Sequence, residues 1–532
     1  MRSTTMYKDK SKWQKVTRST SRLLPIAAVL VTSGPALAFD FSLDNGISGN
    51  FDNTFKYSTG IRLADQNSYL TSNANTDDGD RNFKQGKPIT NRVDWLSEFD
   101  AKYGTFGVSV SADAWYDQVY NKSNYNDSPV TNNNISVPYN QFTGATRDLS
   151  GRRVELLNAF VSNKFNFGDV PVLVRAGQHT VLWGESLYFP DNGIAYGMAA
   201  IDGQKALSVP NTQAKEVFLP VPQISSVAIL PHGVSLEGYY QFGWRPLRTP
   251  PVGSYFSPAD MFGTGGESLI TPFGRFLKGP DQTPNTGQFG AAVKWRPEGA
   301  NVDLGAYALR FNEKTPQIFT TTGGTFIQAY QENIQLYGLS ASTTIGPLNT
   351  AGEISFRHNQ SLAISSTNAP VLAPGQSAQG AGPLGDVFLW ELNGIYAGKA
   401  GPFYDNISFA GSIAGQQVTS ITRNGQYFDE TKSRTAVGLR GVVTLDYYQV
   451  LPGLDLHVPI GVGWTVLGRS PLPAGFNTYN YGNAAGDFSI GIQGTYAQTW
   501  KGGISLTTYF GPASSNAYRD RTFVIATISN TF

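Results

Sequence analysis

Apolar and polar residues alternate with a period of two in several segments of this chain. In the stretch Asp487–Tyr496, Phe488, Ile490, Ile492 and Tyr496 share one face, and Asp487, Ser489, Gly491, Gln493 and Thr495 share the other. Val234, Leu236, Tyr240, Phe242 and Trp244 oppose Ser235, Glu237, Tyr239 and Gln241 in the same way. Phe106, Val108, Val110, Ala112 and Tyr116 oppose Ser109, Ser111, Asp113, Trp115 and Asp117. Leu454, Leu456, Val458, Ile460, Val462 and Trp464 oppose Asp455, His457 and Gly461. The chain closes on Phe532, in phase with Ile528, Ala526 and Val524, with Asn530 as a polar interruption. Such alternation predicts β-strands with one apolar face. Runs of about ten residues are long for a soluble sandwich and suit strands that cross a membrane.

The connections between these runs alternate short and long. Tight turns fall near Tyr103-Gly104, Gly168-Asp169, Pro231-His232-Gly233, Pro297-Glu298-Gly299, Gly346-Pro347, Lys399-Ala400-Gly401, Leu451-Pro452-Gly453 and Trp500-Lys501. Long polar segments lie near 65–90, 121–152, 186–222, 246–286, 313–331, 361–384, 418–432, 466–485 and 511–520. Short periplasmic turns and long extracellular loops are the rhythm of outer-membrane barrels. The count predicts an all-β, single-chain antiparallel transmembrane barrel of roughly eighteen strands, within roughly 16–20, with both termini in the periplasm.

The N-terminus fits export. Basic residues from Arg2 to Arg22 precede an apolar stretch from Leu23 to Val31 and then Pro35-Ala36-Leu37-Ala38, the order of a secretory signal peptide ending at Ala38. Residues 1–38 are therefore expected to be a signal peptide and 39–532 the barrel, placed in a bacterial outer membrane. No later stretch is apolar for long enough to form a membrane-spanning helix. Composition agrees: 58 glycines and 13% aromatics suit lipid-facing strands with aromatic girdles, and the absence of cysteine excludes disulfides and thiolate chemistry. A net charge of +1 gives no reason to expect nucleic acid.

One region breaks the alternation. In Pro171 to Glu185 the apolar phase flips, so that Val181 and Trp183 share the parity of His179. The following segment has no period of two and contains an apolar knot from Ile194 to Ile201. Exposed to water such a knot is costly, so the segment is expected to fold inward as a constriction or plug. Arg175, His179, Trp183, Glu185, Tyr196, Met198 and Ile201 are the candidate constriction and substrate path, with Trp183 and Glu185 as its anchors.

Polar faces turned inward collect Asp113, Asp117, Glu237, Glu353, Asp446, Asp455 and Asp487 in the lumen, with Arg175, Lys294, Arg357 and Arg440. His457 shares the face of Asp455. Charges of both signs predict pairing across the lumen and no strong ion selectivity. No nucleophile elbow, zinc-protease motif or phosphate-binding loop is present, so no enzyme, cofactor or resident metal is expected. Asp77-Asp78-Gly79-Asp80 offers oxygen ligands for Ca²⁺ but lacks the trailing carboxylates of an EF-hand loop, and reads as a solvated turn.

Arg175-Ala176-Gly177-Gln178-His179, Val181-Leu182-Trp183-Gly184-Glu185-Ser186, Lys215 to Pro222, Leu236 to Phe242, Pro251 to Phe256 and Gly352 to Arg357 together resemble the proteobacterial outer-membrane family DUF1302. Asp77-Asp78-Gly79 with Asn82-Phe83 fits as well, whereas His179 stands where the family pattern suggests an aliphatic residue. The resemblance implies transport of hydrophobic or amphipathic small molecules or lipids. It also implies an inner-membrane partner of the resistance-nodulation-division type. Outer-membrane lipid is an expected partner, as is the barrel-assembly machinery through the strand ending at Phe532. A general diffusion porin and a barrel hydrolase using the Asp455/His457 pair are the alternatives.

Overall fold

The computed structural model describes residues 39–532 apart from 210–213, 474 and 476–480, and the expected signal peptide at 1–38 lies outside the described residues. Eighteen antiparallel strands, from Ile47–Arg62 to Phe523–Thr531, form a closed up-and-down barrel. The barrel closes where Thr54 to Arg62 pair with Thr531 to Phe523. Below that level the short strand Phe39–Ser42 folds back on Phe51 to Ser48 and covers the remaining edge. Asn53 exchanges both backbone hydrogen bonds with Phe532, at 2.7 and 2.8 Å, so the terminal residue sits on the seam. Closure leaves no strand edge unpaired along the seam, as a hydrocarbon environment demands.

The alternation sorts faces as expected. Outward positions such as Trp95, Phe99, Leu236, Tyr240, Ile490 and Ile492 are apolar and exposed, the surface a bilayer covers. Inward positions such as Arg92, Asp94, Asp113, Glu353 and Asp487 are polar and buried. A water-filled channel would leave inward residues accessible; here loops have entered and covered them. The strand beginning at Val234 ends at Gln241, earlier than its alternation suggests; the Phe242 N–H still reaches the Pro222 carbonyl at 2.9 Å, in register with the neighbouring strand.

Wall height is uneven. Arg152–Phe167 has 16 residues and Asn406–Arg423 has 18, whereas Val170–His179 has 10 and Val234–Gln241 has 8. On the long-loop side the mouth is capped. Phe83, Tyr120, Phe142, Tyr255, Phe256 and Tyr518, from four loops, pack against Phe523 and Ile525 on the inner face of the last strand.

The run Asp77–Asp80 is not a solvated turn. Asp78–Arg81 forms a short helix buried beneath the cap. Asp80 pairs with Arg62 at 2.8 Å, Asp77 with Arg81 at 2.5 Å, and Asp260 accepts the Asp78 backbone N–H at 3.0 Å. The carboxylates are taken up by guanidinium and amide donors that the cap brings to them. Among the described residues no group of three or more His, Cys, Asp or Glu is disposed to hold a metal ion.

Burial and the neighbouring Asp77 push the Asp78 carboxyl up to about 7, against hydrogen bonds from Asn133 and Asn126 that favour its charged form. Burial, then repulsion from Asp78, raises Asp260 as well. A carboxyl raised in the folded state stabilises the cap fully below the ordinary carboxylate range, and that stability is lost as pH rises through about 7. Amide exchange at Asn82 and Phe83 should therefore accelerate between about pH 4 and 7, beyond its intrinsic pH dependence. Asp78→Asn should remove most of that excess; an unchanged profile in the variant would contradict this role for the carboxyl.

Candidate functional site

At His179 the chain leaves the wall, residues 180–209 run through the lumen, and the chain re-enters the wall at Val221. This inner loop crosses from wall to wall. Trp183 docks first: its indole N–H donates to Glu237 at 2.8 Å, and its ring packs on Tyr239 and Tyr307, centroids 5.1 and 6.0 Å away. The chain then passes Glu353, reaches Glu391, turns, and comes back past Glu353. It ends in the short helix Gly203–Ser208, where Lys205 pairs with Asp113 on the opposite side.

Loop backbone at this depth has no sheet to join, yet its N–H and C=O groups require partners. Charges on two adjacent wall strands supply them. Glu353 accepts the backbone N–H groups of Glu185 at 2.5 Å and Ile194 at 2.8 Å, so one carboxylate ties the outgoing and returning limbs together. Glu391, its register partner, accepts from the Ser186 hydroxyl at 2.7 Å and the Leu187 N–H at 3.0 Å. Arg357 does the converse, donating to the carbonyls of Asp191, Asn192 and Gly193 at 3.3, 3.2 and 2.9 Å. Asn393 donates to the Glu185 carbonyl at 2.5 Å.

Local sequence permits this approach. Gly184 has φ of +90°, and a Cβ there would lie 2.3 Å from a Glu353 carboxylate oxygen. Gly338 on the wall leaves space that Ile194 fills; a Cβ would come within 2.8 Å of its side chain. The glycines thus serve the same contact from opposite sides.

The candidate residues divide by position. Ile194, Tyr196, Met198 and Ile201 are buried, and Ile194, Tyr196 and Met198 pack with Leu309, Phe311, Ile334 and Leu336 of the wall. The knot therefore faces the wall and does not line an open path, because this patch of inner wall is itself apolar and satisfies it. Tyr196 donates its hydroxyl to Glu313 and lies under the Arg357 guanidinium, 5.0 Å from ring centroid. Met198 receives Gln241 on its carbonyl at 2.7 Å, and Ile201 pairs with Phe218. His179 is 2% exposed, bonded to Ser225 at 2.8 Å and to the Gly177 carbonyl at 3.0 Å, so it braces the wall where the chain departs and offers nothing to a passing solute. Arg175 stays half-buried below the loop, over the Phe160 ring at 5.8 Å.

Three of the lumen pairs are ionic contacts between side chains of the wall. Lys294 meets Glu237 at 3.0 Å, Arg440 meets Asp487 at 3.0 Å, and His457 meets Asp446 at 2.6 Å. Asp455 accepts a backbone N–H from Gln449 at the short-turn rim, at 2.8 Å. Glu391, Asn393 and Lys205 were not among the candidates. Glu391 and Asn393 are inward-phase polar residues beside Trp390 and Leu392, so strand parity alone carried a signal for them; Lys205 carried none.

A family model described as "Protein of unknown function (DUF1302)" matches residues 19–532. No curated protein matches the sequence. Solved structures similar to the chain include OccAB1 of Acinetobacter baumannii, at 12% identity and a TM-score of 0.46, covering 91% of this chain and 96% of that one. OpdK of Pseudomonas aeruginosa with vanillate has 11% identity and a TM-score of 0.41, covering 91% and 98%. The outer-membrane channel DcaP of Acinetobacter baumannii has 11% identity and a TM-score of 0.39, covering 93% and 100%. Such values carry neither cargo nor mechanism across.

Replacing Glu353 with Ala orphans two loop N–H groups in one step. Each charge-assisted bond is worth about 1.5–3 kcal/mol, so local opening of the loop should become easier by about 3 kcal/mol. Hydrogen exchange at the Ile194 amide should accelerate by roughly a hundredfold while the barrel strands keep their protection. Equal protection in variant and wild type would show that the clamp is not what holds the loop.

Proposed function

The chain belongs to the DUF1302 family, and from that premise we propose that it is an outer-membrane channel for hydrophobic or amphipathic small molecules or lipids. One observation carries this reading: the inner loop is anchored on opposite walls, at Asp113 through Lys205 and at Glu391 through Ser186, so the lumen is obstructed at mid-height. A wide aqueous pore offers an apolar solute no favourable contact, whereas a lumen filled by a detachable segment provides apolar surface when that segment shifts. Trp183, Tyr239 and Tyr307 form the aromatic surface next to the loop's first anchor, where a solute would displace ring contacts. Coupling to an inner-membrane transporter, which the family resemblance suggests, is part of the same proposal, as is recognition of Phe532 by assembly machinery.

A general diffusion porin fits poorly with a lumen crossed by residues tied to both walls. A hydrolase fits poorly too. His457 pairs with Asp446, and His358 pairs with Asp386 at 2.7 Å on a half-exposed site. His179 does meet a hydroxyl, Ser225, but both are buried in the wall.

Deleting residues 190–210 should raise permeability to small hydrophilic solutes and change uptake or efflux of a hydrophobic probe such as N-phenyl-1-naphthylamine in cells. Unchanged movement of both kinds of solute would sink the constriction reading.

A further inference from the structure

The wall has a step where the inner loop departs. Arg152–Phe167 pairs with its preceding strand up to Arg152, but pairing with Val170–His179 begins only at Ala159↔Gln178. Among the described residues no strand pairs with the upper seven residues, Arg152 to Asn158, on that side, over about 23 Å at about 3.3 Å per residue. Gln178 caps the step, donating to the Leu156 and Leu157 carbonyls at 2.9 and 2.6 Å. On the outer face of this free segment Val154 is 80% exposed and Leu156 47%.

Beside the step lies a cavity of about 430 Å³, a volume typical of small-molecule sites. Its polar side consists of Arg153, Arg245, Arg248 and Lys278 with Glu155 and Asp281; Leu219, Pro246, Leu247 and Tyr330 supply its apolar side. The charges do not balance. Glu155 serves three guanidiniums: Arg248 at 2.6 Å, Arg245 at 3.4 Å and Arg153 at 3.6 Å. Arg248 also holds Asp202 at 2.5 Å, and Lys278 holds Asp281 at 3.2 Å. Among the described residues four cations therefore face three carboxylates, and Arg153 and Arg245, which line the cavity, reach Glu155 only at 3.6 and 3.4 Å. Guanidinium forks match a carboxylate in two parallel bonds.

We propose that this cavity binds an amphipathic monoanion, its carboxylate head on Arg153 and Arg245 and its apolar body against Leu219, Leu247 and Tyr330. The site deepens the channel reading and rests on it for its role: the ligand is cargo held at a lateral step in the wall. Both halves of the ligand are required by what lines the cavity. A small anion satisfies the surplus charge and leaves the apolar side empty, and a neutral apolar solute leaves the surplus positive charge unmet.

The test is titration of the full chain in nanodiscs of zwitterionic lipid with decanoate, decanol and acetate. Decanoate should bind at least tenfold more tightly than decanol or acetate. R153Q/R245Q should lose that preference while still migrating as a folded barrel on unheated gels. Decanol binding as tightly as decanoate, or full decanoate affinity in the double variant, would overturn the site. If the double variant does not assemble, the wild-type comparison decides alone. Failure of the channel reading is distinguishable, because decanoate binding would then persist while the 190–210 deletion left permeability unchanged.

Discussion

Irregular backbone inside a barrel at membrane depth must find partners for its own amides, and here those partners are charged. Glu353, Glu391 and Arg357 lie on two adjacent strands and satisfy both limbs of the inner loop. A carboxylate accepting two backbone N–H groups costs less to bury than an unpaired one, because the amide dipoles replace the water it has lost. The same charges that would have lined an open pore instead act as an internal lattice on which the loop is hung. Everything else about the lumen follows from this exchange of water for backbone.

One consequence is the uneven wall. The strand Val170–His179 stops because its continuation is spent inside the lumen, and its neighbour Arg152–Phe167 then rises paired only with the strand before it. Loop segments from 242 onward fill the step with guanidiniums and leave a cavity between them. A second consequence is the division of closure between two layers. The aromatic cap seals the long-loop mouth, and the inner loop seals mid-height.

Strand positions, their faces and the rhythm of connections were legible in the sequence because a barrel imposes a strict period of two on every wall residue. The inward loop was legible as well, through the phase flip after His179 and an apolar knot with no lipid to face. What the knot touches was not. Ile194, Tyr196 and Met198 pack on Leu309, Phe311, Ile334 and Leu336, which lie more than a hundred positions further along, and no local pattern links the two. Asp77–Asp80 misled for a related reason: composition reads as solvated, and only the cap's tertiary contacts with Arg62, Asn126 and Asp260 bury it. Glu353 and Arg357 were recognised as luminal charges, yet their role toward loop backbone is invisible without the path of that loop.

The central claim is that wall charges hold a segment across the lumen. Single-channel conductance in planar bilayers tests it most directly, comparing the wild type with a Glu353→Ala, Glu391→Ala double variant. The wild type should conduct weakly, and the double variant should show a several-fold larger, flickering conductance as the loop detaches. A large steady conductance in the wild type, or identical traces from the two proteins, would contradict the account.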